Sequence, residues 1–164
     1  MVRQIIIKVG KMPRDGKYNQ GYFRPQNPQK YLGDPNNIVY RSGWELKFMR
    51  WCDRTENVLE YGSEEFFIPY FDPVTNRVRR YFPDFIIKVR EQSGEIKKYV
   101  IEVKPKRQTI PPVQTSKKKT RTYINEVKTY AMNEAKWKAA QEWCKDRMIE
   151  FKIITENELY GLSK

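Results

Sequence analysis

Apolar and polar residues alternate most clearly in the middle of the chain. Over residues 85–90, Phe, Ile and Val at every second position alternate with Ile, Lys and Arg, which predicts a half-buried strand. Gln-Ser-Gly-Glu at residues 92–95 predicts a hairpin turn. Residues 97–104 are then the returning strand, and Pro105 ends it. These two strands are therefore expected to be antiparallel neighbours.

A second pair of strands is predicted just before this hairpin. Residues 66–71 are aromatic and apolar, and residues 77–81 are a further candidate strand. Asp-Pro-Val-Thr-Asn at residues 72–76 supplies the turn chemistry between them.

Three helices are predicted around the strands. The first begins after Ser42, where Ser-Gly-Trp-Glu has the form of a capping box, and ends near Asp53. A long helix over residues 122–147 follows, residues 149–154 return as a strand, and residues 155–158 open a short helix. The order is helix, three antiparallel strands, helix, strand. It predicts an α+β fold with a mixed central sheet flanked by helices.

The composition narrows the protein class. The 164 residues suit one domain, and 39% apolar with 14% aromatic content suits a globular protein better than a disordered one. No apolar run approaches the roughly 18 residues that a membrane span needs, and residues 1–8 lack the apolar core of a signal peptide. The expected protein is a single soluble domain with no membrane segment.

The residue types that are missing restrict the chemistry. The chain has two cysteines and no histidine, which argues against a zinc site and excludes Ser-His and Cys-His catalysis. Two free thiols also fit a reducing compartment. Any reaction must therefore use carboxylates, lysine, hydroxyls or a hard metal ion.

The net charge of +12 is distributed unevenly. Residues 104–121 carry seven basic and no acidic side chains, and residues 1–44 carry eight basic and two acidic ones. Residues 45–103, in contrast, carry ten basic and eleven acidic side chains. Two basic segments on a nearly neutral body indicate a polyanionic partner, with nucleic acid ahead of an anionic membrane. A basic surface that serves only solubility would not need this density.

The first 40 residues are predicted to form a basic arm ahead of a domain over residues 41–164. Residues 10–37 are rich in Gly, Pro, Asn and Gln, which is typical of an extended arm or loop. Two roles are open for its aromatic residues: contact with nucleic acid, or packing of the arm on its own domain. These residues are Tyr18, Tyr22, Phe23 and Tyr31.

Three charged residues on the predicted hairpin form the candidate site. Alternate residues of a strand share a face, so Glu102 and Lys104 point the same way. The hairpin also places Asp84 and Glu102 at corresponding ends of neighbouring strands. Two convergent carboxylates suit Mg²⁺, which activates a water and polarises a phosphoryl oxygen. Lys104 would orient that water or stabilise charge in the transition state.

Each of these residues also has a simpler structural explanation. Pro-Asp at residues 83–84 is common in turns, and Glu102 with Lys104 would make a same-face surface pair. The apolar run over residues 99–103 argues instead that Glu102 is enclosed. The capping box accounts for Glu45, although its place on the inward helix stripe also allows it to reach the sheet edge as a third acid.

These motifs resemble the PD-(D/E)xK nuclease superfamily, whose shared restriction-endonuclease-like core is αβββαβ. Pro83-Asp84, Glu102-Val103-Lys104 and the upstream helical Glu45 carry that likeness. The chain is similar in more detail to the head completion nucleases of T-even-like tailed phages. The segments that carry this likeness are Tyr31-Leu32-Gly33-Asp34-Pro35, Tyr40-Arg41-Ser42-Gly43-Trp44-Glu45, Pro83-Asp84-Phe85, Ile101-Glu102-Val103-Lys104-Pro105 and Ala135-Lys136-Trp137-Lys138-Ala139-Ala140.

The resemblance implies a Mg²⁺-dependent deoxyribonuclease with endo- and exonuclease action. It would trim packaged DNA so that a filled head can join its tail, and Mn²⁺ is expected to substitute. Asp84 and Glu102 become the metal ligands, Lys104 the catalytic lysine and Glu45 the helical catalytic acid. Some superfamily members add a polar residue from the long helix, and three candidates stay open: Asn133, Lys136 and Gln141.

The basic segment beside the site is predicted to hold the DNA backbone without reading sequence. The expected partners are double-stranded DNA and phage head or neck proteins, with no small-molecule cofactor and no membrane. The expected location is the host cytoplasm during assembly, or the virion at the head–tail junction. The predicted DNA-binding residues are Lys106, Arg107, Lys117, Lys118, Lys119 and Arg121.

Two other functions stay open. Tyr81-Phe82-Pro83-Asp84-Phe85 also resembles transposase-type and restriction-like endonucleases, which share the fold. From a different class, a DNA-binding neck or plug protein without catalysis would have the same basic composition. The presence of Asp84, Glu102 and Lys104 together favours the enzyme, because binding alone would not need all three.

Overall fold

A four-stranded sheet between helices forms the centre of the molecule. The computed structural model describes residues 20–160, the last of them by its backbone alone. In chain order the elements are β1 (Gly21–Phe23), β2 (Ile38–Tyr40), α1 (Gly43–Arg54), β3 (Val58–Ser63), β4 (Ile68–Asp72), β5 (Arg77–Tyr81), β6 (Phe85–Arg90), β7 (Ile96–Val103), α2 (Arg121–Lys145), β8 (Glu150–Ile154) and α3 (Glu156–Tyr160).

The strand order of the central sheet is β3-β6-β7-β8. β3, β6 and β7 run antiparallel, and β8 joins β7 in parallel after the crossover through α2. With α1 ahead of β3, the order α1-β3-β6-β7-α2-β8 is αβββαβ. The predicted α+β fold with a mixed central sheet is therefore confirmed.

The assignment of strands to the sheet needs one correction. The predicted strands at residues 66–71 and 77–81 exist as β4 and β5, but within the described residues they pair with each other in a separate two-stranded ribbon. The first core strand is β3, which was not predicted. Its sequence, Val-Leu-Glu-Tyr-Gly-Ser, shows no clean alternation of apolar and polar residues. The packing of the fully buried Tyr61, rather than a local sequence pattern, holds this segment in the sheet.

Two hydrophobic clusters hold helices against opposite faces of the sheet. Phe48 and Cys52 of α1 pack on the face that carries Phe85, and the rings of Phe48 and Phe85 lie 4.7 Å apart. Full burial of such a side chain contributes roughly 1.5–3 kcal/mol. On the other face, Ala140 of α2 packs with Tyr81 of the β4–β5 ribbon. The ribbon and α2 thus enclose one face of the sheet beside the candidate site.

Residues 20–40 pack on the domain. β1 and β2 pair antiparallel, and Phe23 and Tyr31 are buried in the main core. Of the two roles left open for the aromatic residues, packing on the domain therefore applies to these two. Tyr22, in contrast, is 70% exposed. Tyr18 lies outside the described residues. The division of the chain into arm and domain stays a prediction.

The remaining elements agree closely with the predicted positions. α1 and α2 begin one residue after Ser42 and Thr120, whose hydroxyls each accept a hydrogen bond from a backbone N–H of the first turn. Cys52 and Cys144 are buried free thiols, and burial raises the pKa of Cys144 to about 11. Among the helices of the described residues, none has the length and apolarity to cross a membrane.

Candidate active site

β6 and β7 bring Asp84 and Glu102 to the same end of the sheet. The ladder pairs Phe85 with Ile101, and one further step in the same antiparallel register sets Asp84 opposite Glu102. Asp84 Oδ2 accepts a hydrogen bond of 2.7 Å from the backbone N–H of Val103, which ties the carboxyl group to β7. The structure thus brings together the two acids that the sequence analysis placed on neighbouring strands.

Glu102 is a buried carboxylate with both oxygens engaged. It is 3% exposed and lies on the face that α2 and the ribbon cover. The Tyr81 hydroxyl donates to Oε2 at 2.6 Å, and Lys104 Nζ lies 3.0 Å from Oε1. Glu102 and Lys104 therefore share a face, as the alternation of β7 requires. The surface-pair explanation does not hold for Glu102, because the carboxylate is not at the surface.

Glu102 affects the protonation of Asp84. Burial and the neighbouring Glu102 raise the pKa of Asp84 well above its usual value, although the Val103 N–H and Lys104 act in the opposite direction. Burial lowers the pKa of Lys104, but Glu102 and Asp84 outweigh it and raise that pKa overall. Lys104 therefore stays protonated, and the repulsion between the two carboxylates is what a cation would relieve.

One of the three candidates on α2 faces this site. Lys136 is half-buried, and its Nζ lies 5.8 Å from the ring centre of Tyr81. Burial, followed by the nearby Lys104 ammonium, lowers the pKa of Lys136. Asn133 is buried almost one turn earlier, and Gln141 is exposed. Lys136 is thus the strongest candidate for a further polar group at the site.

Glu45 forms the capping box that its sequence indicates. Its carboxylate accepts hydrogen bonds from the backbone N–H of Arg41 at 2.8 Å and from the Ser42 hydroxyl at 3.0 Å. It is close enough to contribute to the raised pKa of Asp84. Across residues 20–160, however, no three His, Cys, Asp or Glu side chains form a group that could hold a metal ion. The catalytic role of Glu45 stays a prediction.

Two residues near the site were not assigned a role from the sequence. The Tyr81 hydroxyl donates to Glu102. The signal for this contact in the sequence was a tyrosine at the end of a predicted strand, because a tyrosine hydroxyl that becomes buried needs a hydrogen-bond partner. Arg41 forms an ion pair with Glu64, which raises the pKa of the guanidinium further, with smaller contributions from Glu45 and Asp84.

The basic loop leaves β7 directly at Lys104. It contains one short 3₁₀ turn, Lys106–Gln108, and the backbone N–H of Lys106 donates to Glu156 of α3. All six predicted DNA-binding residues are exposed: Lys106, Arg107, Lys117, Lys118, Lys119 and Arg121. Their role in DNA binding stays a prediction.

A cavity of about 240 Å³ lies between α1 and the β1–β2 pair. None of the four predicted catalytic residues lines it. Three arginines do, and within residues 20–160 none of them forms an ion pair. The lining includes Tyr22, Arg24, Tyr40, Arg50, Asp53 and Arg54.

Comparison with known proteins identifies the family. Residues 55–156 match the model described as TnsA-like endonuclease N terminal, a range that contains Asp84, Glu102 and Lys104 but not Glu45. The chain is also 41% identical over 145 residues to the "Head completion nuclease" of Enterobacteria phage T4, a match that covers 87% of this chain and 94% of that protein. The chain therefore belongs to the TnsA-like endonuclease family, within the restriction-endonuclease-like superfamily, as a homologue of that head completion nuclease.

Proposed function

We propose that this protein is a divalent-metal-dependent DNA nuclease that processes packaged viral DNA during phage head completion. The observation that carries the proposal is the convergence of Asp84, Glu102 and Lys104 at one enclosed end of the β6–β7 hairpin. The family membership supports nuclease activity, and the name of the phage T4 relative supports the biological role. Mg²⁺ is the proposed physiological ion, and Mn²⁺ should substitute.

The donor set fits such an ion. Asp84 and Glu102 supply hard carboxylate oxygens, and Mg²⁺ binds through one or two protein carboxylates plus water and phosphate. When bound, the ion would polarise the scissile phosphoryl group and lower the pKa of a water. The hydrogen bond from Val103 fixes the carboxyl group of Asp84, and the Tyr81 hydroxyl fixes that of Glu102. Lys104, held beside Glu102, would orient the attacking water or stabilise negative charge on the phosphate.

The basic loop is the proposed DNA-binding surface. Its six exposed cations begin two residues after Lys104, and residues 104–121 contain no acid to balance them. Each phosphate contact adds to the salt dependence of binding without reading bases. Changing Lys117, Lys118 and Lys119 to Gln should therefore lower the slope of log affinity against log salt by roughly 2–3. An unchanged slope would remove the loop from the DNA interface.

Cleavage of packaged DNA would bring the protein to the head–tail junction. Contact with head or neck proteins, and a site of action in the host cytoplasm or on the virion, belong to this proposal. A transposase-type endonuclease is the second candidate, because the matching family model is TnsA-like. The two differ in sequence preference: head completion needs DNA-end processing without a recognition sequence, and transposon excision needs defined ends.

A plasmid assay tests the proposal. The wild-type protein should nick or linearise any plasmid in Mg²⁺ or Mn²⁺ and stop with EDTA. Asp84→Asn should lose cleavage and keep DNA binding, whereas Glu142→Gln, an exposed acid on α2, should behave as wild type. Metal-independent cleavage would overturn the mechanism. Cleavage confined to one sequence would favour the transposase-type alternative.

A further inference from the structure

The outer face of the β4–β5 ribbon is apolar and exposed. Phe71 pairs with Val78 on this face, and their side chains are 54% and 72% exposed. One step beyond the other end of the ladder, the rings of Phe67 and Phe82 lie 5.9 Å apart, and each residue is 46% exposed. Within the described residues, no other element covers these four side chains as fully as the inner face of the ribbon is covered.

The inner face of the same ribbon explains why these side chains point outward. Ile68, Tyr70 and Tyr81 are buried, and Lys136 of α2 lies over two of these rings. Because side chains alternate across a strand, the residues between them must face away from α2. The Tyr81 hydroxyl also bonds Glu102, so the ribbon is fixed in position relative to the candidate site.

The aromatic pair lies beside the candidate site. Phe82 is two residues before Asp84 in the chain. The Arg80 guanidinium lies 5.3 Å from the centre of the Phe67 ring, a cation–π contact. Among residues 20–160 it forms no ion pair, so its N–H groups can meet a phosphate. A DNA strand with its scissile phosphate at Asp84 and Glu102 would therefore pass this pair.

The charge of the ribbon also suits DNA. The ribbon carries three arginines, Arg77, Arg79 and Arg80, and one acid, Asp72. The Asp72 carboxylate lies 3.6 Å from Arg79. Exposed apolar patches also mark protein interfaces. Excess positive charge together with the adjacent carboxylate site favours nucleic acid over a protein partner here.

We propose that Phe67 and Phe82 stack on unpaired nucleobases next to the scissile phosphate, with Arg80 on the neighbouring backbone. This deepens the proposed nuclease function and rests on it. Bases within a duplex have both faces covered by stacking, so the preferred substrate is DNA that is frayed or single-stranded beside the cut. Stacking of a base on an aromatic side chain tolerates any sequence, in agreement with end processing.

The test uses the full chain in EDTA, where binding is measured without cleavage. A duplex with a short frayed end carries 2-aminopurine in the unpaired segment, and its fluorescence reports stacking. Wild type should quench the probe and bind it at least about 5-fold more tightly than blunt duplex. The double variant Phe67→Ser/Phe82→Ser should bind the frayed DNA roughly 10-fold more weakly and lose the quench.

Two matched variants complete the test. Phe82→Trp retains an aromatic face and should keep the quench, and Ile96→Ser removes an exposed apolar side chain at the far end of β7 and should change neither quantity. Unaltered quench and affinity in the folded double variant, or in Phe82→Ser alone, would overturn the proposal and leave the apolar outer face of the ribbon to a protein partner. Plasmid cleavage by wild type reports on the proposed function separately, because the stacking assay contains no metal.

Discussion

Two buried acids, Asp53 and Glu102, differ in what surrounds them. Asp53, at the end of α1, is 2% exposed, and its carboxylate accepts hydrogen bonds from the backbone N–H groups of Gln26 at 2.8 Å and Asn27 at 3.1 Å. The Tyr61 hydroxyl also donates a hydrogen bond to this carboxylate, at 3.3 Å. This acid is surrounded by donors and joins residues 26–27 to the helix.

The opposite arrangement is found at the end of the β6–β7 hairpin. Asp84 has one backbone donor, and its charged neighbours include the buried carboxylate of Glu102. Lys104 is the ammonium group that contacts Glu102. Burial alone is therefore a poor indicator of function. Two acids held against each other are the feature that indicates a cation site.

The largest effect is expected at the paired acids. Asp84→Asn and Glu102→Gln should each lower the cleavage rate by more than about 100-fold, because loss of outer-shell partners alone costs 10–100-fold in metal sites. Rates on supercoiled plasmid in Mg²⁺ measure this effect. Cleavage at the wild-type rate by either variant would place the active site elsewhere.

A loss of stability is expected at Asp53. Asp53→Ala should lower the free energy of unfolding by about 3 kcal/mol, because it leaves the backbone N–H groups of Gln26 and Asn27 and the buried Tyr61 hydroxyl without their acceptor. Thermal unfolding should show a midpoint roughly 6–12 °C lower. Glu142→Ala, an exposed control, should be nearly neutral. A change of similar size in both variants would mean that the contacts of Asp53 do not stabilise the fold.

A smaller effect is expected at Tyr81, which links the ribbon to the site. Tyr81→Phe removes the donor to Glu102 and keeps the ring, so kcat should fall by roughly 10-fold while KM for DNA stays close to wild type. Tyr70→Phe is the matched control on the same face of the ribbon. Equal effects of the two variants would show that the Tyr81 hydroxyl does not position Glu102.

The smallest expected effect is a gain in stability rather than a loss. In EDTA, Asp84→Asn should raise the free energy of unfolding by about 1 kcal/mol, because it removes repulsion from Glu102 and keeps an oxygen for the Val103 N–H. The melting midpoint should rise by roughly 2–4 °C. A lower midpoint would mean that the native pair of carboxylates is not mutually repulsive.

The paired acids could be located from sequence because their signals are local. The turn at residues 92–95 and the ends of the two strands set the register, and the register alone sets Asp84 opposite Glu102. The donors of Asp53 lie 26 and 27 residues away in the chain, and no local pattern joins them to α1.

The other features that the sequence analysis did not predict also depend on contacts between separate elements. Strand pattern predicted β4 and β5, but it does not specify a strand's partner, so their separation from the central sheet required the structure. On α2, Asn133, Lys136 and Gln141 could not be separated because apolar residues are distributed around most of the helix. The structure adds that Lys136 packs near Tyr81, which makes it the strongest of the three candidates.

The most direct measurement is the anomalous diffraction of crystals that contain Mn²⁺. We expect one strong peak between the side chains of Asp84 and Glu102, roughly 2.1 Å from an oxygen of each, and its loss in Asp84→Asn crystals. A peak at other carboxylates, or none at this pair under conditions where the protein cleaves DNA, would contradict the assignment of these two acids as the metal ligands.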